Sequence, residues 1–323
     1  VDVVSSLDIV DGYTDGSFNP TNTLTRGAAA KIICNLILGP TTADALSADT
    51  APFKDVPVTN EFAGYIAYCS QQGIISGYAD GTFRPAGTLT GYAFMKMLLG
   101  ALGYSAEVED YTGANWSVAV AKQAVGIGLD DGNDEFVGVK AVTREEACLY
   151  AFNTLTADMV EYDTTTTIDI NGATVVMGGS KASVVYNSER KGYRTSSDDR
   201  DEVMQFCEKY FTDLELRSDA ATDSFGRPSN TWYNDNDKIG TYAKEADVVY
   251  TADVKSKDIY SDLDLSDAYN YDVVVDGQES ATDFIVAKRD NQDGYTVDPD
   301  DKIADQIGDV LGNGSLIEVY KDE

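Results

Sequence analysis

The chain has 323 residues, a net charge of −31, a pI near 4.1 and 43% apolar residues. Its 24 basic residues face 55 acids, so the clustered cations that phosphate contacts need are scarce, which argues against nucleic acid as a partner. Histidine is absent, which excludes Ser-His-Asp and Cys-His catalysis, histidine-ligated metals and imidazole proton transfer together.

The length suits about two domains of roughly 100–200 residues each. No run of 18 or more apolar residues occurs, so no membrane-spanning helix is expected. Residues 1–157 hold 18 acids and 8 bases, whereas the remainder holds 37 acids and 16 bases, and this shift sets a boundary near residue 157. Such an acidic surface repels itself or takes up divalent cations. Cys34, Cys69, Cys148 and Cys207 are scattered without a CxxC pair, so they read as small core thiols rather than a zinc site. A disulfide is compatible with them but not required.

Val1 to Ser6 reads as the tail of a helix, so the sequence is expected to be a fragment or processed form. The loop Gly12-Tyr13-Thr14-Asp15-Gly16-Ser17-Phe18-Asn19-Pro20 follows. Thr25 caps the next helix, with Leu24 as its staple and Ile32, Ile33, Leu36 and Ile37 as its stripe. Gly39-Pro40 stops it, and residues 41–52 read as a polar connector. Phe53-Lys54-Asp55-Val56-Pro57 opens a second unit, with a helix over 62–72. The same loop then returns 65 residues later as Gly77-Tyr78-Ala79-Asp80-Gly81-Thr82-Phe83-Arg84-Pro85. Its glycines permit positive φ, its aspartate bonds nearby backbone, and Phe83 pins it to a core. Thr90-Gly91 begins the following helix, with Phe94, Met97, Leu98 and Leu102 on one side.

A third unit runs from Trp116, with a helix over 117–125 and a distorted loop at Asp130 to Phe136. Thr143 and Glu146 form a capping box at the start of its last helix. Three helix–loop–helix copies, each too small to bury its own core, are therefore expected at 1–40, 53–104 and 111–157, packed together around shared helices. Residues 158–323 read as an acidic, β-rich (α+β) region. Within it are an Asn171-Gly172 hairpin, strands near 183–186, 232–233, 239–242, 247–251, 271–275, 284–287 and 316–320, and helices over 200–214 and 303–311.

The FKDVP opening, the nine-residue loop and the Thr-Arg helix start, recurring in order over residues 1–157, resemble the S-layer homology (SLH) domain family. The first copy is truncated and the third degenerate. The resemblance implies an extracellular protein of the bacterial cell surface. It also implies a mainly α pseudo-trimer around a three-helix core, binding a secondary cell-wall polysaccharide, commonly pyruvylated, in grooves between repeats. Arg supplies planar donors for a ketal carboxylate, and a helix start supplies N–H groups and a positive dipole end.

Carried onto this sequence, the glycan candidates are Thr25, Arg26, Thr143 and Arg144, with Gly12, Gly77, Asp15 and Asp80 in the loops. An architectural role for the loop residues is the competing reading, as is an inter-repeat ion pair for Arg26. Gly91 stands where an Arg is expected, so the second repeat's groove is expected to be weak. The groove of interest pairs Arg26 with elements of the second repeat, and Arg26 reads as an exposed helix-start residue of modest weight in folding. Arg84 reads as a solvated loop residue, and Trp116 as core, with stacking on sugar as the alternative.

The acidic loops supply calcium candidates at Asp235, Asp237, Asp290 and Asp293, though none follows EF-hand spacing. No pair of carboxylates stands out for glycoside hydrolysis. The leading expectation is a non-enzymatic, S-layer-like surface protein, anchored by its repeats, whose second half extends outward or assembles with copies of itself. The alternatives are an SLH-anchored carbohydrate-active enzyme or carbohydrate-binding protein, and a lattice held by protein contacts alone.

Overall fold

A computed structural model describes residues 1–162, 166–170, 173–177, 181–187, 192–194, 202–217, 223–224, 227–252, 254, 256–263, 270–275, 278–279, 284–285 and 316–321. The chain divides into two compact units, one of 1–215 with 233–239 and one of 216–232 with 240–323. The first unit thus continues past the compositional boundary at 157.

The first unit begins with α1 (Asp2–Ser6), α2 (Arg26–Leu38), α3 (Pro40–Asp44), α4 (Ala63–Gln71), α5 (Gly91–Leu102), α6 (Trp116–Gly126) and α7 (Arg144–Thr156). Two of these helices end for local reasons. Gly39 takes φ 73° and Pro40 follows, so α2 cannot continue, and Gly103 closes α5 in the left-handed region at φ 107°. Part of the expected connector at 41–52 is helical instead, because Pro40 sits at the start of α3 where its missing N–H costs nothing.

The core forms around α5, which packs on α2, α6 and α7, while α2 also packs on α4. Phe94, Leu98, Leu99 and Leu102 of α5 are fully buried. At about 1.5–3 kcal/mol per buried large apolar side chain, this helix carries much of the unit's stability. Leu24, Leu89 and Val142 stand immediately before Thr25, Thr90 and Thr143. Their backbones close a three-membered ring, with Leu24 N–H donating to Val142 O at 2.8 Å, Val142 N–H to Leu89 O at 2.9 Å and Leu89 N–H to Leu24 O at 3.2 Å. Each of the three side chains is only 2% exposed, so the ring is sealed from water. The segments that lead into α2, α5 and α7 therefore meet at one dry point.

Beyond α7 come β1 (Val160–Tyr162), β2 (Thr166–Ile170), β3 (Ala173–Met177), β4 (Ala182–Val184), α8 (Phe206–Tyr210), β5 (Leu214–Arg217), β6 (Ser229–Asn234) and β7 (Asp237–Ala243). β1 pairs antiparallel with β4, and β2 with β3. Ile170 stands opposite Ala173, the register that a two-residue Asn-Gly connection demands, although the turn itself lies outside the described residues. The helix expected over 200–214 is reduced to the five residues of α8. Val203 bridges to Tyr186 and Gln205 to Asp158, which holds the approach to α8 extended. β5, β6 and β7 form a three-stranded sheet in that order.

The second unit contains β8 (Val248–Tyr250), α9 (Ser256–Asp262), β9 (Asn270–Val275), β10 (Gln278–Glu279), β11 (Phe284–Ile285) and β12 (Ile317–Lys321). The last strand lies antiparallel between β8 and β9, with Val319 opposite both Val248 and Val273. β10 and β11 also pair with β9. The helix expected over 303–311 lies outside the described residues. No described helix is long and apolar enough to cross a membrane.

Candidate functional site

The three helix starts are built alike. The Thr25 hydroxyl accepts from Ala28 N–H at 3.2 Å, Thr90 from Ala93 N–H at 3.3 Å and Thr143 from Glu146 N–H at 3.2 Å. Glu146 returns the favour by accepting from Thr143 N–H at 2.7 Å, which completes the expected capping box. The first amides of each helix are also taken. Arg26 and Gly27 N–H donate to Gly87 O and Pro85 O; Gly91 and Tyr92 donate to Lys140 O and Gly138 O; Arg144 and Glu145 donate to Asn22 O and Pro20 O. The expectation of free helix-start N–H groups is therefore corrected: they hold the neighbouring repeat's loop.

Arg26 does the same with its side chain. Its Nε donates to Phe83 O at 2.8 Å and its Nη2 to Ser76 O at 3.2 Å, while the guanidinium lies 4.4 Å from the Phe83 ring centroid and 5.0 Å from that of Tyr78. Arg144 repeats this on the first loop, with Nε to Phe18 O at 2.9 Å and Nη2 to Asp11 O at 2.6 Å, over the rings of Phe18 and Tyr13. Burial pulls Arg26 below its usual range, but the group stays cationic. Arg26 is thus half-buried and clasps the second repeat's loop, rather than standing exposed with little weight in folding. At Gly91 the corresponding space is closed, because an added Cβ would meet the Phe136 ring at 2.9 Å and Gly138 Cα at 3.1 Å. Tyr92 stands edge-on to Phe136 there, at 5.8 Å between centroids.

The two loops hold themselves. Asp80 Oδ1 accepts from Thr82 N–H at 2.9 Å and its hydroxyl at 2.6 Å, and Asp15 does the same with Ser17 at 2.9 and 2.6 Å. Those bonds hold both carboxyls low, and with the Arg84 ion pair at 2.9 Å they take Asp80 down to about 2. Arg84 is exposed but also sits 4.1 Å from the Tyr78 ring centroid. Gly77 has no room for a Cβ, which would meet Phe53 Cε1 at 2.4 Å and Thr82 O at 2.8 Å, and at Gly12 it would meet Ser17 O at 3.1 Å. Asp55 of the FKDVP stretch, which the sequence reading left without a role, accepts from Phe83 and Arg84 N–H at 2.7 Å each. The fixed aspartates and glycines are spent on loop shape.

Two grooves lie beside these clasps. One, of about 310 Å³, is lined by Arg26, Ser76, Tyr78, Lys96, Tyr111 and Trp116 among others. The second, of about 700 Å³, includes Arg144, Asp11, Tyr13, Lys31, Asp55 and Glu61. Thr25 and Gly12 line the second groove and Gly77 the first, whereas Thr143, Asp15 and Asp80 line neither. Lys96 and Lys31 were not singled out in the sequence. Extending the 65-residue register from the loop into the helix would have found them, since Lys31 and Lys96 occupy the same position. Lys96 Nζ donates to Tyr111 O at 2.7 Å and lies 5.7 Å from the Trp116 ring centroid. Burial lowers its pKa. Trp116, expected in the core, is half-buried and forms a groove wall. The Tyr111 hydroxyl is buried without a hydrogen-bond partner among the described residues.

Of the calcium candidates, Asp235 lies in the β6–β7 turn and Asp237 begins β7; Asp235 and Asn236 have φ 48° and 69°, the two positive values of a tight hairpin turn. Asp290 and Asp293 lie outside the described residues. Among the described residues no group of three acidic, cysteine or histidine side chains is placed to hold a metal ion.

Residues 1–30 and 52–91 match the S-layer homology domain. Cell surface glycoprotein 1 of Acetivibrio thermocellus is 38% identical over 88 residues, 27% of this chain and 4% of that protein. The surface layer protein of Brevibacillus choshinensis is 30% identical over 105 residues, 32% of this chain and 9% of that protein. An uncharacterized cell wall amidase of Bacillus anthracis is 29% identical over 173 residues, 50% of this chain and 30% of that protein. The chain thus covers less than a third of each relative's length.

Proposed function

We propose that the chain, whose residues 1–30 and 52–91 match the S-layer homology domain, is an extracellular, non-enzymatic cell-surface protein held on an acidic wall polysaccharide through residues 1–157. The repeats, locked by the Leu24–Leu89–Val142 ring and the Arg clasps, act as one three-cornered body with ligand grooves between corners. The observation that carries the reading is the Arg26–Lys96 groove. It is lined by two cations, no carboxylate and the aromatic side chains of Tyr78 and Trp116, in a chain of net charge −31. A sugar bearing a carboxylate, such as a pyruvate ketal, matches that combination: cations for the anion, aromatic faces for the ring. Residues 158–323 extend outward from the wall or assemble with copies of themselves.

The test is co-sedimentation of the full chain with purified, pyruvylated wall polysaccharide, before and after mild acid removes the ketals. Binding to the intact polymer that disappears with the ketals supports the reading. Equal binding to both, or none, overturns it.

A second reading keeps the anchor but makes the chain part of a wall-acting enzyme. The similarity to a cell wall amidase over half of this chain favours it. Release of new amino termini from purified peptidoglycan by the full chain would select this reading.

A further inference from the structure

The two grooves share a plan and differ at one charge. In the 65-residue register, Lys31 matches Lys96, Leu24 matches Leu89, Ala28 matches Ala93 and Asp11 matches Ser76. In both, an arginine takes the backbone carbonyl of that last residue, Asp11 O in one and Ser76 O in the other. The side chains then diverge. Asp11 Oδ2 pairs with Lys31 Nζ at 2.7 Å, and Asp44 stands 3.8 Å from the same ammonium. Ser76 brings no carboxylate, and among the described residues Lys96 has no ion pair; its neighbour is the neutral Tyr111 carbonyl. Asp55 and Glu61 add further negative charge to the Arg144–Lys31 groove, whereas no acid lines the Arg26–Lys96 groove.

We propose that the Arg26–Lys96 groove alone receives the ligand's carboxylate, and that Asp11 already occupies the equivalent place in the Arg144–Lys31 groove. This rests on the anchoring reading and assigns it to one groove. Residue 11/76 is then the specificity position: serine leaves the lysine open to an external anion, and aspartate supplies an internal one. Two independent features of the Lys96 groove point to a ligand. One is the uncompensated ammonium against Trp116, and the other is the buried, unpartnered Tyr111 hydroxyl. A bound carboxylate would give Lys96 the partner that Asp11 gives Lys31.

The experiment uses the full chain and a hexose pyruvate ketal, with its methyl ester as the uncharged control, in titration calorimetry. One site per chain is expected, with no binding of the ester. A charge-assisted bond is worth roughly 1.5–3 kcal/mol, so Lys96→Gln and Ser76→Asp should each weaken binding about tenfold or more. Ser76→Asn, which adds the same bulk without charge, should weaken binding less than Ser76→Asp, and Lys31→Gln should leave it within about twofold on the same scale. Circular dichroism on each variant separates lost binding from lost fold. Two equal sites in the unmodified chain, an unchanged Ser76→Asp, or equal losses from Lys31→Gln and Lys96→Gln overturn the assignment. If the chain binds neither this sugar nor the intact wall polysaccharide, the anchoring reading falls as well. Retention on the polysaccharide with Lys96→Gln harmless removes only the groove assignment.

Discussion

Arg26 donates its Nε–H to the Phe83 carbonyl at 2.8 Å while its guanidinium stacks 4.4 Å from the Phe83 ring. One residue from the first repeat thereby fixes both the backbone and the side chain of the second repeat's loop. Arg144 holds Phe18 in the same way, from the third repeat to the first. These clasps make stability and groove shape depend on the same two arginines.

Arg26→Ala should therefore cost folding stability as well as binding. Losing two hydrogen bonds from a charged donor and two ring contacts is expected to destabilise by about 2–3 kcal/mol. Arg26→Lys should recover only part of this, because a point charge cannot hold two carbonyls in a plane. Urea unfolding of the three proteins measures it; a loss below about 0.5 kcal/mol for Arg26→Ala, the level of an ordinary surface change, would contradict the clasp.

The second loop should respond to acid through Asp80. Its carboxyl lies at about 2, held there first by the Thr82 hydroxyl and amide and then by Arg84. An unfolded chain has Asp near about 3.9 and so binds more protons between those values. The contribution is complete above pH about 4 and is lost as pH falls through about 2. Carboxyl NMR should find Asp80 titrating well below free aspartate, and Asp80→Asn should remove that part of the pH dependence. Titration of Asp80 near 4 would contradict the self-bonded loop.

The corner between the second and third repeats should resist opening. A Cβ at Gly138 would meet the Tyr92 ring at 2.1 Å. Overpacking of this kind costs typically about 1–3 kcal/mol, so Gly138→Ala should lower the melting temperature clearly. An unchanged melting temperature would mean that Tyr92 moves aside freely and that this corner is not closed.

The four cysteines should be silent in the folded protein. All are buried, and Cys34 and Cys69 face each other across α2 and α4 with Sγ atoms 3.5 Å apart. Burial pushes Cys148 up to about 11, and Cys69 is raised first by its bond with Cys34. A thiol reagent at pH 8 should label the native chain only at the rate of unfolding, and fast stoichiometric labelling would contradict the packing.

Much of the first unit was legible in the sequence because its signals are local. Thr25, Thr90 and Thr143 cap helices within three residues of themselves, and Asp80 bonds two residues ahead, so both show in short windows. Arg26 was misjudged because its partners are 50 and 57 residues away, and nothing near it signals a clasp. The helix-start amides were misjudged for the same reason. Lys96 was missed because one lysine within an apolar helix reads as a solvated face; only its register with Lys31 marks it. The 200–214 segment has a helical stripe, yet backbone pairing of Val203 and Gln205 overrides it.

The most direct test of the anchoring account is a co-crystal of the full chain with a pyruvylated oligosaccharide cut from the wall polymer. The account expects the ketal carboxylate within hydrogen-bond distance of Lys96 Nζ, with the sugar against Trp116. A carboxylate seated instead beside Lys31 and Arg144, or a sugar bound away from both grooves, would contradict it.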